Sequence, residues 1–205
     1  MTALLDRLAD LFERGHAQPI EGLMSDARFA DAERTADAAV LIAVVDRPRE
    51  DGGPSVILTQ RPRTMRDHPG QVAFPGGKLE PDETALAAAL REAEEELALD
   101  PAEVSVIGTT DRYQTGTGFD ITPVLGVVRP GLPLVANERE VESWFEAPLD
   151  LLMDARSWTR NEVFWKGAMR EYLELEHAGY RIWGVTAAIC YNLSRRLAWL
   201  EATGG

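Results

Sequence analysis

The sequence has a single cysteine, Cys190. No intrachain disulfide can form, which fits a reducing, cytoplasmic setting. Long apolar runs are also missing. The longest, Ala38 to Val45, falls far short of the roughly 20 residues that span a bilayer. The opening stretch MTALLDRLADLFERG carries Asp6, Asp10 and Glu13 in an amphipathic pattern. It has no basic start followed by an apolar run, so it does not read as a signal peptide. Cations are scarce: 21 Lys and Arg stand against 34 Asp and Glu, for a net charge of -13. That balance argues against nucleic acid and anionic membrane as partners. A small-molecule partner is expected instead, and an anionic one would need local cations to overcome the mean field.

Hydrophobic residues are 45% and charged residues 27% of the chain, which sets aside disordered and fibrous classes. At 205 residues the chain is long enough for one domain with a substantial core. We read residues 1–37 as an N-terminal helical extension packed on a main domain of residues 38–205. Leu4, Leu5, Leu8, Leu11 and Phe12 recur at helical spacing and predict a helix over 2–14 closed by Gly15. Strands are expected over 38–46 and 55–61, paired as a hairpin, then over 104–113, 120–129 and 140–148. Three short strands should follow, and a long helix over 185–202. Strands mixed with two or three helices, without βα alternation, predict an α+β fold, specifically a layered α/β/α sandwich with a mixed sheet.

The chemistry concentrates in FPGGKLEPDETALAAALREAEEELAL, residues 74–99. Asp82 is the expected N-cap of a helix reaching about Leu97. At about 100° per residue, Leu86, Leu90, Ala93 and Leu97 form one stripe, the face expected to pack on a sheet. Glu92, Glu95 and Glu96 fall together on a separate face, three and four apart, and Glu94 points elsewhere. Clustered carboxylates raise one another's pKa unless a cation intervenes. Hard oxygen donors suit Mg²⁺ or Mn²⁺; the bland alternative is a solvated helix face. Arg91 can fork onto a carboxylate and fix it, with Glu83 two turns upstream as its candidate partner. Gly76 and Gly77 let main-chain groups approach a metal or phosphate.

The order Gly77, Glu83, Arg91, Glu92, Glu95, Glu96, Leu99 resembles the Nudix box. Two positions depart from it: Ala93 replaces a bulky aliphatic residue, and Ala98 replaces the closing glycine. The second departure matters if that position needs positive φ, which alanine disfavours. Upstream, Leu58, Thr59, Arg61, Arg66, Gly70, Phe74, Pro75, Gly76 and Gly77 are similar to the motif of the coenzyme A pyrophosphatase subgroup, with Pro62 where serine or alanine is usual. TGTGFDITPVLG, NEREV and IWGVTA also resemble this subgroup, and the likeness spans residues 38–195.

The resemblance implies metal-dependent hydrolysis of the diphosphate of coenzyme A or its acyl derivatives, giving 3′,5′-ADP and 4′-phosphopantetheine. It implies Mg²⁺ (or Mn²⁺) held by Glu92, Glu95 and Glu96, with a carbonyl of Gly77 or its neighbour as a further donor. Arg91 would orient the cluster. Glu92, or Glu140 from a loop, would take the proton of the attacking water; Glu140 reads equally well as a strand terminus. Arg61 and Arg66, with Gly76, would meet the substrate, since arginine binds phosphate bidentately. Arg63 reads as a surface cation and His68 as a loop residue. Phe74, Tyr180 and Trp183 read as core, and Cys190 as buried on the last helix. A homodimer stays open. The rival readings are a pyrophosphatase acting on ADP-ribose, dinucleotides or noncanonical nucleoside triphosphates, and a nucleotide-binding module without hydrolysis.

Overall fold

The computed structural model describes residues 2–29, 36–64 and 68–203. In chain order, helix α1 (Ala3–His16) precedes strands β1 (Ala36–Val45), β2 (Ser55–Gln60), β3 (Val72–Ala73) and β4 (Gly76–Lys78). Helix α2 (Ala85–Leu97) leads to β5 (Ser105–Thr109), β6 (Tyr113–Gln114), β7 (Phe119–Val128) and β8 (Ser143–Pro148). After the short α3 (Leu149–Leu152) come β9 (Thr159–Trp165), β10 (Ala168–His177) and β11 (Tyr180–Trp183), then α4 (Val185–Leu197) and α5 (Trp199–Thr203).

β1 organises the main sheet. Its whole length pairs in parallel with β7. Its other edge is shared: Val44 and Val45 pair antiparallel with β2, and Ala38 to Val40 pair with β4. Among the described residues this sheet has eight strands, β3, β2, β1, β7 and β5 in order, with β4, β6 and β8 attached. The period of two along β1 then sorts its side chains. Ala39, Leu41, Ala43 and Val45 face α2, where they meet Ala88, Ala89, Ala93 and Leu97. Ile42 and Val44 face the opposite layer, with Leu8 and Leu11 of α1 and Ile189, Leu193 and Leu197 of α4. The result is the expected α/β/α sandwich with a mixed sheet. β9, β10 and β11 form a second, three-stranded sheet.

Several local expectations are corrected. Gly15 does not close α1; it lies in its last turn, where a Cβ would come 1.9 Å from the Arg196 carbonyl oxygen. Its missing side chain is what lets α1 lie against α4. Asp82 is not the cap of α2. It sits at φ 64° in the preceding turn, and Thr84 caps the helix by accepting from the Ala87 N–H at 3.2 Å. The stripe on α2 is also rotated: Leu86 is exposed, while Ala88, Ala89, Ala93, Glu96 and Leu97 are buried. Alanines win that face because they let the helix approach the small side chains of β1. The last helix is broken at Ala198, φ 45°, so that Trp199 turns inward and its indole N–H donates to Asp150 at 2.6 Å.

The closing position of the acidic segment behaves as the missing glycine would demand. Ala98 sits at φ 54°, ψ 31°, and its N–H bonds the Glu94 carbonyl at 2.8 Å. An L-residue with a Cβ is strained there. Ala98→Gly is therefore expected to raise stability by about 1 kcal/mol. In a chain of this length that is about 2–4 °C in Tm. A melting curve no higher than that of the parent would show that Ala98 is not strained.

Candidate metal and diphosphate site

The site is built where α2 crosses β1 and β4. Pairing with β1 brings Gly77 against the helix so closely that a Cβ there would lie 2.4 Å from the Glu92 carboxylate. At Gly76 a Cβ would meet the Ala39 carbonyl oxygen at 2.4 Å. Both glycines are thus required by close approach.

Glu96 lies one turn beyond Glu92 and is 6% exposed; it sits at the edge of the buried face of α2, not on a solvent face. The third carboxylate comes from the loop before β8. That loop is tied to the end of α2 by the Val135 N–H on the Leu97 carbonyl (2.9 Å) and the Asn137 N–H on the Glu96 carbonyl (2.8 Å). The Asn137 carbonyl then accepts from the Glu140 N–H at 2.9 Å, which turns Glu140 back over the helix. Oxygens of Glu92, Glu96 and Glu140 all lie within 4.8 Å of one another.

Arg91 organises the flank. Its Nε and Nη2 fork onto Glu83 at 2.9 and 3.0 Å. Its Nη1 donates to Glu92 at 3.0 Å and to Glu95 at 3.1 Å, and Nη2 also reaches the Lys78 carbonyl at 3.1 Å. The Glu95 side chain, half exposed, stands outside the three-carboxylate group and belongs to this arginine network. The Arg91 guanidinium holds the Glu83 carboxyl below its usual range, and these contacts raise the guanidinium's own pKa.

The electrostatics of the trio invite a cation. Burial pushes the Glu96 carboxyl up to about 8, with the charges of Glu92 and Glu140 adding to it. The Arg61 guanidinium and the Gly76 N–H oppose that rise. Burial also raises Glu92, against the pull of Arg91. Glu96 Oε2 is buried without a hydrogen-bond partner, an arrangement that costs free energy unless something binds it. Anionic hard oxygens converging on an unsatisfied buried oxygen fit a hydrated divalent cation.

Arg61 is therefore brought to the acidic cluster, whereas Arg66 lies outside the described residues. The turn that carries Arg61 is closed by its own backbone: the Arg61 N–H bonds the Gln71 carbonyl at 2.9 Å and the Gly70 N–H returns to the Arg61 carbonyl at 3.1 Å. Arg63 is exposed, and its N–H donates to Glu142 at 3.0 Å. Phe74 is core, Trp183 is half-buried against Tyr172, and Tyr180 stacks on Phe145 with centroids 3.8 Å apart. Cys190 is buried on α4, and burial pushes its thiol up. Sequence reasoning missed Asn137, whose place in NEREV gave no hint that its backbone fastens the loop to α2. Among the described residues no helix is long and apolar enough to cross a membrane.

Residues 35–167 match the family model described as the NUDIX domain. Over 161 residues the chain is 41% identical to the uncharacterized Nudix hydrolase NudL of Escherichia coli strain K12, covering 78% of this chain and 82% of that protein. The protein of the same name from Shigella boydii serotype 4 is 40% identical over the same length. Among solved structures, a Nudix hydrolase from M. smegmatis, RenU, superposes with a TM-score of 0.54 at 23% identity, covering 90% of this chain and 96% of that one. That likeness concerns the fold.

Proposed function

The chain belongs to the Nudix family and is a Nudix hydrolase of a nucleoside diphosphate derivative, and from that premise we propose that its substrate is coenzyme A or an acyl derivative. The products are 3′,5′-ADP and (acyl-)4′-phosphopantetheine. The observation that carries the reading is Arg61: in a chain of net charge -13, the arginine of the second motif lies close enough to Glu96 for its charge to counter the rise of that carboxyl. Arg66, nearby in sequence, is proposed as the second phosphate-binding arginine.

Glu92, Glu96 and Glu140 would hold the divalent cation, Mg²⁺ or Mn²⁺, with Glu95 and the Gly77 carbonyl as further donors. A bound cation supplies positive charge to the diphosphate oxygens and lowers the pKa of a bound water. In the reaction a water oxygen bonds to one phosphorus, the bridging P–O bond breaks, and the water proton passes to a carboxylate. Glu92 is the proposed acceptor, because it stands in the trio and Arg91 fixes its position; Glu140 is the alternative from the opposite wall. Gly76 offers backbone that a side chain would obstruct.

Incubation with coenzyme A, acetyl-coenzyme A or ADP-ribose and Mg²⁺, followed by mass spectrometry, tests the reading. Coenzyme A should yield 3′,5′-ADP and 4′-phosphopantetheine faster than ADP-ribose is cleaved. Preference for ADP-ribose would move the chain to another substrate class.

A further inference from the structure

One residue, Asn137, touches two of the three acidic residues of the site. Its backbone N–H donates to the Glu96 carbonyl at 2.8 Å. Its backbone carbonyl accepts from the N–H groups of Glu140 at 2.9 Å and Val141 at 2.8 Å. The turn is thus fastened to the last turn of α2 at one end and carries Glu140 at the other. The side chain acts on the same turn. Its Oδ1 accepts from the Arg139 N–H at 3.3 Å, an Asx turn that holds the backbone between them. Its Nδ2 donates to Glu140 Oε1 at 3.5 Å.

The partners fix which way the amide faces. A backbone N–H only donates and an ionised carboxylate only accepts, so the amide oxygen belongs toward Arg139 and the nitrogen toward Glu140. Aspartate at this position would close the turn but repel Glu140. Serine would close it but is too short to reach the carboxylate. Glu140 needs a partner of this kind. It stands on a loop between α2 and β8, half-buried, with carboxylate oxygens of Glu92 and Glu96 within 4.8 Å. Like charges so close repel, and a glutamate on a loop can turn out to solvent. A neutral donor holds it inward and leaves its full charge for a cation.

We propose that Asn137 is a positioning residue whose side-chain amide holds the Glu140 carboxylate in the trio, ready for a divalent cation. The inference rests on the metal site proposed above and adds a residue that acts through one of its ligands.

Calorimetry on the full chain measures uptake of Mn²⁺, alone and with methylenediphosphonate as a diphosphate mimic. The wild type is compared with Asn137→Ser, Asn137→Ala, Glu140→Gln and the double variant Asn137→Ser/Glu140→Gln, and each is also melted in chelator. Glu140→Gln should weaken Mn²⁺ binding about tenfold or more, and both Asn137 variants should weaken it about tenfold. The melts should separate serine from alanine: serine keeps an oxygen for the Arg139 N–H, so its melting temperature should lie nearer that of the wild type. In the Glu140→Gln background Asn137→Ser should weaken binding by about twofold at most, because the carboxylate it serves is gone. Wild-type affinity in Asn137→Ser, with Glu140→Gln weakened, overturns the role of Asn137 and leaves the trio standing. Losses that multiply fully in the double variant do the same. Wild-type affinity in Glu140→Gln, or a wild type that takes up no Mn²⁺ even with the mimic, overturns both.

Discussion

Glu96→Gln is expected to lower kcat by about 10³-fold or more while the protein stays folded. Glutamine keeps the shape and one oxygen but removes the charge that a divalent cation needs. The same substitution has a second signature in the absence of metal. The Glu96 carboxyl lies at about 8 in the folded protein against an ordinary value of 4.5. Between those pH values the folded chain keeps a proton that the unfolded chain releases, so stability falls as pH rises from about 4.5 to about 8. The loss is on the order of a few kcal/mol at most. Glutamine has nothing to titrate, so the variant's melting temperature in chelator should be flatter over that range. Adding Mn²⁺ at pH 8 should raise the wild-type melting temperature and leave the variant's nearly unmoved. Wild-type turnover in Glu96→Gln would exclude this residue from the site, whatever the melting curves show.

The extent to which this site could be read in sequence follows the range of the interactions. Glu92 and Glu96 are one turn apart on one helix, and periodicity alone brings them together. Helical periodicity could not rank them, however. The spacing of apolar residues put Leu86 inside, but the partner surface of Ala39 and Ala43 favours alanines, and the rotated helix buries Glu96. Thr84 and Asp82 are both good caps by type; the turn at Asp82, with φ 64°, decides between them. The Glu83–Arg91 pair was legible because it spans two turns of local chain. Glu140 was not, because its position depends on backbone bonds from Val135 and Asn137 to the end of α2, and no side-chain pattern records them. Here only family resemblance pointed to NEREV. The need for a left-handed residue at position 98 was visible as a departure from the box, and the structure supplies the dihedral that gives it meaning.

Arg91→Lys should lower kcat by about 10²-fold and destabilise the fold by about 2 kcal/mol. The guanidinium meets Glu83 with two nitrogens, spans Glu92 and Glu95 with a third, and also reaches the Lys78 carbonyl. An ammonium is a single point with three donors and cannot hold carboxylates along two edges as the planar guanidinium does. Glu92 then loses the contact that opposes its burial, so its pKa climbs further and the acidic limb of the pH–rate profile should move to higher pH. A merely structural loss would scale the rate without moving that limb. Because the Glu83 fork orients the guanidinium toward Glu92, Glu83→Gln should slow turnover through the same route. Its effect in the Arg91→Lys background should then be much smaller than alone, since the two residues act as one unit. Fully additive losses, with an unmoved acidic limb, would mean that Glu92 finds its place without the arginine. The carboxylate would then owe its position to the wall of Gly77 alone, and the network around Arg91 would serve only the stability of the turn before α2.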